Sequence, residues 1–299
     1  MNRTAILSRI KISSATLEYW ANYFELAKPR LVSMVLLSTM VGFYLASREH
    51  MNLFLFTSTL IATALISIGS MVFNQILERE ADSKMLRTQN RPLAAGRIHF
   101  AQAFWFGALL SVFGFLGFVI FVNMTSAFLA LLTWASYLFV YTPLKSRTSL
   151  STIAGAIPGA LPPVIGWAGA GGTLNIQAFL LFLIIFFWQM PHFLAIAWMY
   201  RDDYTRAGFP VLSVIDREGK FVARQMIVNM CALMPVSLLP TLFGMTGTVY
   251  FFGAFAVGIC FAAVIIFAAP HLDSRARYVL RASVIYLAAL LFLMMIDKI

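Results

Sequence analysis

Long apolar runs recur along the whole of this 299-residue chain, which is 61% hydrophobic and only 11% charged. Each run is about 17–25 residues long, the length that lets one helix cross a bilayer. Strands of membrane barrels are shorter and alternate in polarity, so helices fit the runs better. The sequence therefore predicts an all-α, polytopic membrane protein with nine transmembrane helices. The predicted spans are 31–47, 53–76, 103–122, 124–142, 152–170, 176–199, 225–243, 248–269 and 278–296.

Basic residues lie almost entirely in segments that would share one side of the membrane. With the N-terminus inside, only Arg48 and Lys298 of the 22 Lys and Arg residues fall outside. This is the positive-inside pattern, and it predicts an inside N-terminus and an outside C-terminus. The net charge of +10 is thus assigned to topology, with anionic ligands on the same side as the alternative, and not to nucleic acid.

The chain is predicted to form one domain over residues 1–299, with residues 1–30 as a cytoplasmic interfacial segment. Leu17, Trp20, Phe24 and Ala27 share one helical face, which suits a helix lying on the membrane surface. The short N-terminus favours the bacterial cytoplasmic (inner) membrane over the mitochondrial inner membrane. The long polar loops, 77–102 and 200–224, both lie inside, so polar function is expected at that face.

An acidic stripe closes the second predicted span. Asn74, Glu78 and Asp82 are spaced i, i+4 and i+8, so on a helix they lie within an arc of roughly 80°. Ionised carboxylates are costly at the end of a span, and the helix dipole opposes them at a C-terminus. A divalent cation is the strongest candidate to compensate them.

A second acidic cluster, Asp202 and Asp203, follows the sixth predicted span, and Lys and Arg residues flank both clusters. Hard Mg²⁺ ions take oxygen ligands and bridge to substrate phosphates, while Arg holds phosphate oxygens. This pattern indicates a diphosphate site at a membrane surface. The alternative is interfacial salt bridges, such as Glu78 with Arg79 or Asp202 with Arg206. The basic candidates are Lys28, Arg30, Lys84, Arg87, Arg91 and Arg201.

A diphosphate beside lipid implies a lipid diphosphate, whose departure would leave an allylic cation. Such a cation needs apolar walls that exclude water and aromatic faces that tolerate positive charge. Tyr137 and Tyr141, near the inner end of span four, are candidates for these faces. Membrane-interface tyrosines are an equally good interpretation of both.

Two further features within spans invite a functional interpretation. The fifth span contains Pro158, Pro162 and Pro163, and a helix broken by proline either lines a ligand cavity or packs closely through its glycines. His192 lies within span six, where an ionisable residue is a functional hypothesis by default. It could ligate or face a metal macrocycle, act as a base, or bond a neighbouring helix.

These motifs resemble the UbiA-type intramembrane prenyltransferases, in which the first motif is more usually Asn-x3-Asp-x3-Asp. Within that group the chain is most similar to the protoheme IX farnesyltransferases, over nearly its whole length. The similar stretches are Lys28-Pro29-Arg30, Asn74 to Pro92, Gly159-Ala-Leu-Pro-Pro-Val-Ile-Gly-Trp167, Trp188-x-x-Pro191-His192-Phe193 and Asp202-Asp203-Tyr204-x-x-Ala207-Gly208-x-Pro210.

The resemblance implies a bundle around a lipid-open cavity, and transfer of a farnesyl group from farnesyl diphosphate to a vinyl group of protoheme IX. It implies Mg²⁺ on Asn74, Glu78 and Asp82, with a second ion on Asp202 and Asp203. It also implies that His192 and the fifth span lie near the heme, and that a heme-modifying enzyme or an oxidase assembly factor receives the product. The diphosphate would bind Lys84, Arg87, Arg91 and Arg201.

Two other functions fit parts of the pattern. One is a related prenyltransferase that uses a quinone precursor or a chlorin as acceptor. The other is a membrane transporter without catalysis, which predicts polar residues at mid-membrane and on both faces. The concentration of polar sites on the inner face favours an enzyme.

Overall fold

The computed structural model describes residues 14–47 and 51–299, so Arg48 lies outside the description, as does the side chain of Leu17. Helices form nearly all of the regular structure in these ranges, and a π-helical turn, Ser136–Tyr141, joins α6 to α7. The helices are α1 (Ser14–Leu26), α2 (Pro29–Ala46), α3 (Leu53–Leu77), α4 (Arg79–Lys84), α5 (Phe100–Phe121), α6 (Met124–Ala135), α7 (Thr142–Lys145), α8 (Ser151–Ala160), α9 (Pro162–Gly169), α10 (Ile176–Met199), α11 (Arg201–Arg206), α12 (Leu212–Ile215), α13 (Lys220–Leu242), α14 (Thr248–Ala268) and α15 (Leu272–Ile296).

Seven helical segments in the described ranges are long and apolar enough to cross a membrane. One of them, Thr248–Ile296, contains both α14 and α15. The fifth predicted span is divided into α8 and α9, each too short to count alone. The membrane-spanning all-α class is confirmed, and the arrangement is compatible with nine crossings.

Small residues let neighbouring helices approach closely. A Cβ on Gly114 of α5 would lie 2.6 Å from the backbone nitrogen of Ile66 on α3. Large apolar side chains on the far side of α5, such as Trp105, Phe113 and Ile120, are exposed. Since lipid tails are as apolar as these side chains, helix contacts in a membrane depend on close packing, and small residues permit it.

The fifth segment breaks at Leu161, immediately before Pro162, which lacks the backbone N–H needed to continue a helix. The second half, α9, packs tightly on α2, where a Cβ on Gly166 would meet the carbonyl oxygen of Thr39 at 1.9 Å. The first half, α8, lines a cavity through Gly155, Pro158 and other residues. The proline-rich span therefore both lines a cavity, through α8 and Pro162, and packs closely on a neighbouring helix, through Gly166.

Candidate functional site

The predicted acidic stripe lies on a buried side of the C-terminal end of α3 and of α4. Glu78 joins the two helices, and its amide donates to the carbonyl of Asn74 at 2.9 Å. The amide of Asp82 donates to the carbonyl of Glu78 at 2.8 Å, so helical bonding continues through the junction. Asn74, Glu78 and Asp82 are 4%, 6% and 1% exposed, which places three polar side chains together away from water.

Basic side chains from three other segments pair with the stripe. Lys145 Nζ lies 2.8 Å from Glu78 Oε2, and Arg91 Nη1 lies 2.7 and 2.6 Å from the two carboxylate oxygens of Asp82. Lys28 Nζ donates to Asn74 Oδ1 at 3.4 Å. The expected salt bridge of Glu78 with Arg79 is wrong, because Glu78 is buried and turned to Lys145 while Arg79 is exposed.

Lys145 is a site residue that sequence reasoning missed. It ends the fourth span, and it lines the apolar cavity as well as contacting Glu78. Its ammonium also lies 4.7 Å from the ring centroid of Phe209, beyond the second acidic cluster. The sequence did contain a signal for this role: Lys145 is a charged residue at the end of an apolar span, and it lies four residues, about one helical turn, after the candidate Tyr141.

One oxygen of the stripe has no partner in the described part of the chain. Glu78 Oε1 is buried and accepts no hydrogen bond there, although a buried carboxylate oxygen left unpaired is costly. The described residues contain no group of three or more His, Cys, Asp and Glu that could hold a metal alone. Mg²⁺ usually takes one or two carboxylates and completes its shell with waters and substrate phosphates, so this donor set suits it.

Lys28 is held in a strained conformation beside the stripe. Its φ of 49° is the only left-handed value at a described non-glycine residue, and it precedes Pro29 at the start of α2. Such conformations cost of order 1–3 kcal/mol and occur where the surroundings fix a side chain. Burial, reinforced by the positive charge of Arg91, lowers the pKa of Lys28 to about 7. A bound anion would favour its charged form.

The second acidic cluster hydrogen-bonds to the loop that follows the acidic stripe. The carboxylate of Asp203 accepts from the backbone amides of Leu86 at 3.0 Å and Arg87 at 3.2 Å, and also pairs with Arg206. Burial raises the pKa of Asp203, but the Arg206 guanidinium and the two amides outweigh this and hold the pKa below its ordinary value. Asp202 is exposed, so the expected pairing with Arg206 belongs to Asp203 instead.

The remaining basic candidates divide between the site and its surroundings. The guanidinium of Arg87 lies 5.0 Å from the ring centroid of Tyr200, next to the second cluster. Lys84 pairs with exposed Glu80 at 3.0 Å, and Arg201 pairs with Asp273 at 2.7 Å. Arg30 is exposed. The structure thus gathers Lys28, Arg91 and Lys145 at the stripe, whereas Lys84 and Arg201 point to other acids.

A cavity of about 300 Å³ lies beside the stripe and reaches into the bundle. The stacked rings of Tyr137 and Tyr141, with centroids 5.4 Å apart, form part of its wall. The π-helical turn sets both rings, and such turns recur at functional sites. A Cβ on Gly155 would lie 2.6 Å from the Tyr141 ring, so glycine leaves it room. The wall also includes Leu31, Val35, Ser67, Ser70, Met71, Thr133, Lys145, Ser151, Thr152, Pro158, Gly159, Pro162, Phe193, Ile196, Ala197, Tyr204 and Val211.

His192 lies at the seam between α10 and α15. Its Nδ1 is 2.8 Å from the hydroxyl of Ser283, and its ring stacks on Trp188 with centroids 5.1 Å apart. The neighbouring Phe193 lines the cavity. The bond to a neighbouring helix, one of the three roles considered for His192, is therefore present.

Comparison with known proteins gives the family. Residues 35–295 match the model of the UbiA prenyltransferase family. The protoheme IX farnesyltransferase of Solibacter usitatus (strain Ellin6076) is 44% identical over 287 residues, covering 93% of this chain and 98% of that protein. The chain belongs to the UbiA prenyltransferase family. It is thus an integral membrane enzyme of the prenyltransferase class, and the transporter hypothesis loses its support.

Solved structures share the fold. A structure of digeranylgeranylglyceryl phosphate synthase has a TM-score of 0.78 and 16% identity, covering 94% of this chain and 98% of its own. A UbiA homologue from Archaeoglobus fulgidus, bound to GPP and Mg²⁺, has a TM-score of 0.70 and 16% identity, covering 92% and 99%. Divalent metal use is thereby supported for the fold.

Proposed function

We propose that this protein transfers a farnesyl group from farnesyl diphosphate to a vinyl group of protoheme IX, giving heme O and diphosphate. The observation that supports the reaction class is a buried cluster of acidic and basic side chains beside an apolar cavity, whose wall includes Tyr137, Tyr141 and, from the cluster itself, Lys145. A diphosphate head group and an isoprenoid tail match these two environments.

The head group is proposed to bind at the stripe. Lys28, Arg91 and Lys145 would donate to its oxygens, and charge-assisted hydrogen bonds of this kind are strong. Asn74, Glu78 and Asp82 would hold one Mg²⁺. A second ion at Asp202 and Asp203 would have to displace Arg206 from the Asp203 carboxylate. When bound, Mg²⁺ would neutralise the diphosphate and favour its departure as a leaving group.

The cavity wall is proposed to protect the allylic cation that remains after the bond from carbon to diphosphate breaks. The faces of Tyr137 and Tyr141 would stabilise positive charge, and the apolar wall would keep bulk water away. The vinyl group then attacks the cation. A water molecule adds to the resulting carbon next to the macrocycle and loses a proton, which gives a hydroxyethylfarnesyl group.

The choice of acceptor is supported by the relatives, since the Solibacter protein carries the name protoheme IX farnesyltransferase. The test incubates the purified full-length chain with farnesyl diphosphate, Mg²⁺ and either protoheme IX or 4-hydroxybenzoate. Mass spectrometry should detect farnesylated heme, and prenylation of the benzoate alone would overturn the choice of acceptor.

The active face is proposed to be the inner face of a bacterial cytoplasmic membrane, with the N-terminus inside and the C-terminus outside. The described loops that carry the stripe and the second cluster are rich in Lys and Arg, which supports this orientation. Cysteine labelling at exposed Glu218 and at Gly244 in intact cells should show only the second to be reachable from outside. The product would pass to a heme-modifying enzyme or an oxidase assembly factor.

A further inference from the structure

The cavity beside the stripe has a charged end and an uncharged end. Lys145 is the only Lys or Arg among the described wall residues, and it lies at the stripe, 2.8 Å from Glu78. On α6, by contrast, the described wall reaches back only to Thr133, which the helical rise places about 18 Å from Lys145. A diphosphate bound at the stripe would therefore direct the far end of its tail towards Thr133.

Two short side chains line the uncharged end, Ser67 of α3 and Thr133 of α6. Ser67 lies almost two helical turns, about 10 Å, before Asn74 and on the same side of α3, so the stripe and the end of the cavity share one helix face. Thr133 donates its hydroxyl to the carbonyl of Leu129 at 2.7 Å, within its own helix. What both side chains give the cavity is chiefly space, because neither extends beyond its γ atoms.

The described wall of the cavity ends at these two residues. On α3 the next residue of the same side is Thr63, which is 1% exposed and donates to the carbonyl of Thr59 at 2.7 Å. On α6 the preceding turn contains Leu129 and Ala130, both of which belong to the buried core. Because protein cores are close-packed, a tail could pass this layer only by displacing side chains.

One turn of helix matches one isoprene unit in length. An extended chain advances roughly 1.2 Å per main-chain bond, so one isoprene unit adds about 5 Å to an extended tail. A turn of α-helix rises about 5.4 Å. Ser70, the wall residue about one turn closer to the stripe than Ser67, is thus about one unit nearer the head group. Filling the space at Ser67 would consequently shorten the tail that fits by about one unit.

We infer that Ser67 and Thr133 set the length of the prenyl tail that this enzyme accepts. Their small volume leaves room for the last isoprene unit of a farnesyl group, and the core layer behind them closes the cavity to a longer tail. The inference rests on the proposed prenyl transfer and names the residues that determine its specificity for the donor. It does not depend on which acceptor is used.

The test measures kcat/KM of the purified full-length chain for geranyl, farnesyl and geranylgeranyl diphosphates, with protoheme IX as acceptor. Wild type should use geranylgeranyl diphosphate at least about ten-fold less well than farnesyl diphosphate, since apolar pockets discriminate about ten-fold or more per methylene. Ser67→Phe should lower kcat/KM for farnesyl diphosphate at least about ten-fold and leave the value for geranyl diphosphate near that of wild type. Thr133→Phe, on α6, should cause the same change of preference.

Two further variants separate volume from other effects. Ser67→Ala removes only the hydroxyl and should keep the wild-type order of donors. Ser33→Phe adds the same bulk at an exposed position of α2 and should also keep that order. Turnover with geranyl diphosphate and a thermal unfolding scan show whether each variant is folded, and the wild-type preference for farnesyl over geranylgeranyl diphosphate needs no variant.

Two results would overturn the inference while leaving the proposed function standing. One is equal use of farnesyl and geranylgeranyl diphosphates by wild type, and the other is an unchanged order of donors in folded Ser67→Phe and Thr133→Phe. Calorimetric binding of the three diphosphates with Mg²⁺, without acceptor, gives a separate readout. If no prenylated heme forms but Ser67→Phe selectively weakens binding of farnesyl diphosphate, the inference stands and the proposed acceptor is overturned.

Discussion

The acidic stripe and the polar residues at the opposite end of the bundle are satisfied in different ways. At the end opposite the stripe, proposed to be the outer one, the carboxylate of Asp297 accepts from the backbone amide of Tyr250 at 2.6 Å, and Lys298 donates to the carbonyls of Tyr44, at 2.7 Å, and Ser47. Lys298 also forms an isolated β-bridge with Thr246. These groups satisfy backbone atoms and join the ends of α2, α13, α14 and α15.

At the opposite end, proposed to be the inner one, Glu78 and Asp82 of the stripe pair with Lys145 and Arg91, and Glu78 Oε1 accepts no hydrogen bond from the described residues. Asp297 and Lys298 are thus satisfied by backbone atoms. The side chains proposed to bind a ligand instead form a charged cluster in which one carboxylate oxygen, Glu78 Oε1, is left without a hydrogen bond from the described residues. The contrast predicts that substitutions at the inner end reduce turnover and those at the outer end reduce stability.

The largest effect is expected from removing divalent metal with a chelator. Turnover should be abolished, while the thermal unfolding temperature should hardly change, because Glu78 and Asp82 keep Lys145 and Arg91 as partners. The prenylation assay and a thermal unfolding scan in detergent measure the two quantities. Added Mg²⁺ should restore turnover, and full activity in chelator would contradict the proposed metal site.

Asp82→Asn should reduce turnover by about 10²–10³-fold, the usual loss when one preorganised charged group is removed from an active site. Its shape is kept, so the protein should still fold. Asp297→Asn is the matched variant at the outer end and should retain wild-type turnover. Equal losses in the two variants would remove the distinction between the ends.

Lys145→Met should lower kcat/KM by about 10–100-fold, because a charged hydrogen bond contributes about 1.5–3 kcal/mol. The loss should appear mainly in KM for farnesyl diphosphate if Lys145 binds the head group. Steady-state kinetics at varied farnesyl diphosphate concentration measure this. Lys220→Met, at an exposed lysine paired with Glu218, is the control, and a drop of the same size there would argue against a specific role.

Gly155→Ala should reduce turnover by about ten-fold, since the added methyl group overlaps the Tyr141 ring and overpacking costs about 1–3 kcal/mol. Gly258→Ala is a suitable comparison, because its Cβ would meet Met234 Cε at an ordinary 3.5 Å. Turnover at saturating substrates is the measurement. Wild-type activity in Gly155→Ala would show that the Tyr141 ring can move without cost.

The smallest effect on turnover is expected from Lys298→Ala. Loss of its bonds to the carbonyls of Tyr44 and Ser47 should lower the free energy of unfolding by about 1 kcal/mol. Turnover well below the unfolding temperature should stay at the wild-type level. A thermal unfolding scan measures the stability, and the prenylation assay measures the turnover. A variant that is inactive but as stable as wild type would contradict the prediction and indicate a functional role for Lys298.

Features that depend on one stretch of sequence could be predicted. A helix overlaps each of the nine predicted spans, because run length alone sets the requirement for crossing. The acidic stripe is buried on one side, as its spacing of four residues indicates. The proline-rich segment indeed breaks, although the position of the break at Leu161 was not predicted.

Features that depend on distant contacts could not be predicted. Lys145 meets Glu78 across 67 residues of sequence, and Asp203 meets the amide of Leu86 across 117. The left-handed Lys28 and the π-helical turn before Thr142 arise because surrounding helices fix the backbone there. Neither conformation has a signature in the local residue pattern.

The break at Leu161 has a consequence for how this family could change its substrates. A straight helix would transmit any shift of the cavity wall to the face that packs on α2, because the helix backbone is stiff along its axis. The break at residue 161 separates these two roles: all but one of the residues that this span contributes to the cavity lie on α8, whereas α9 packs on α2, with Gly166 against Thr39. Substitutions that reshape the cavity can therefore accumulate on α8 while the packing of α9 on α2 is kept.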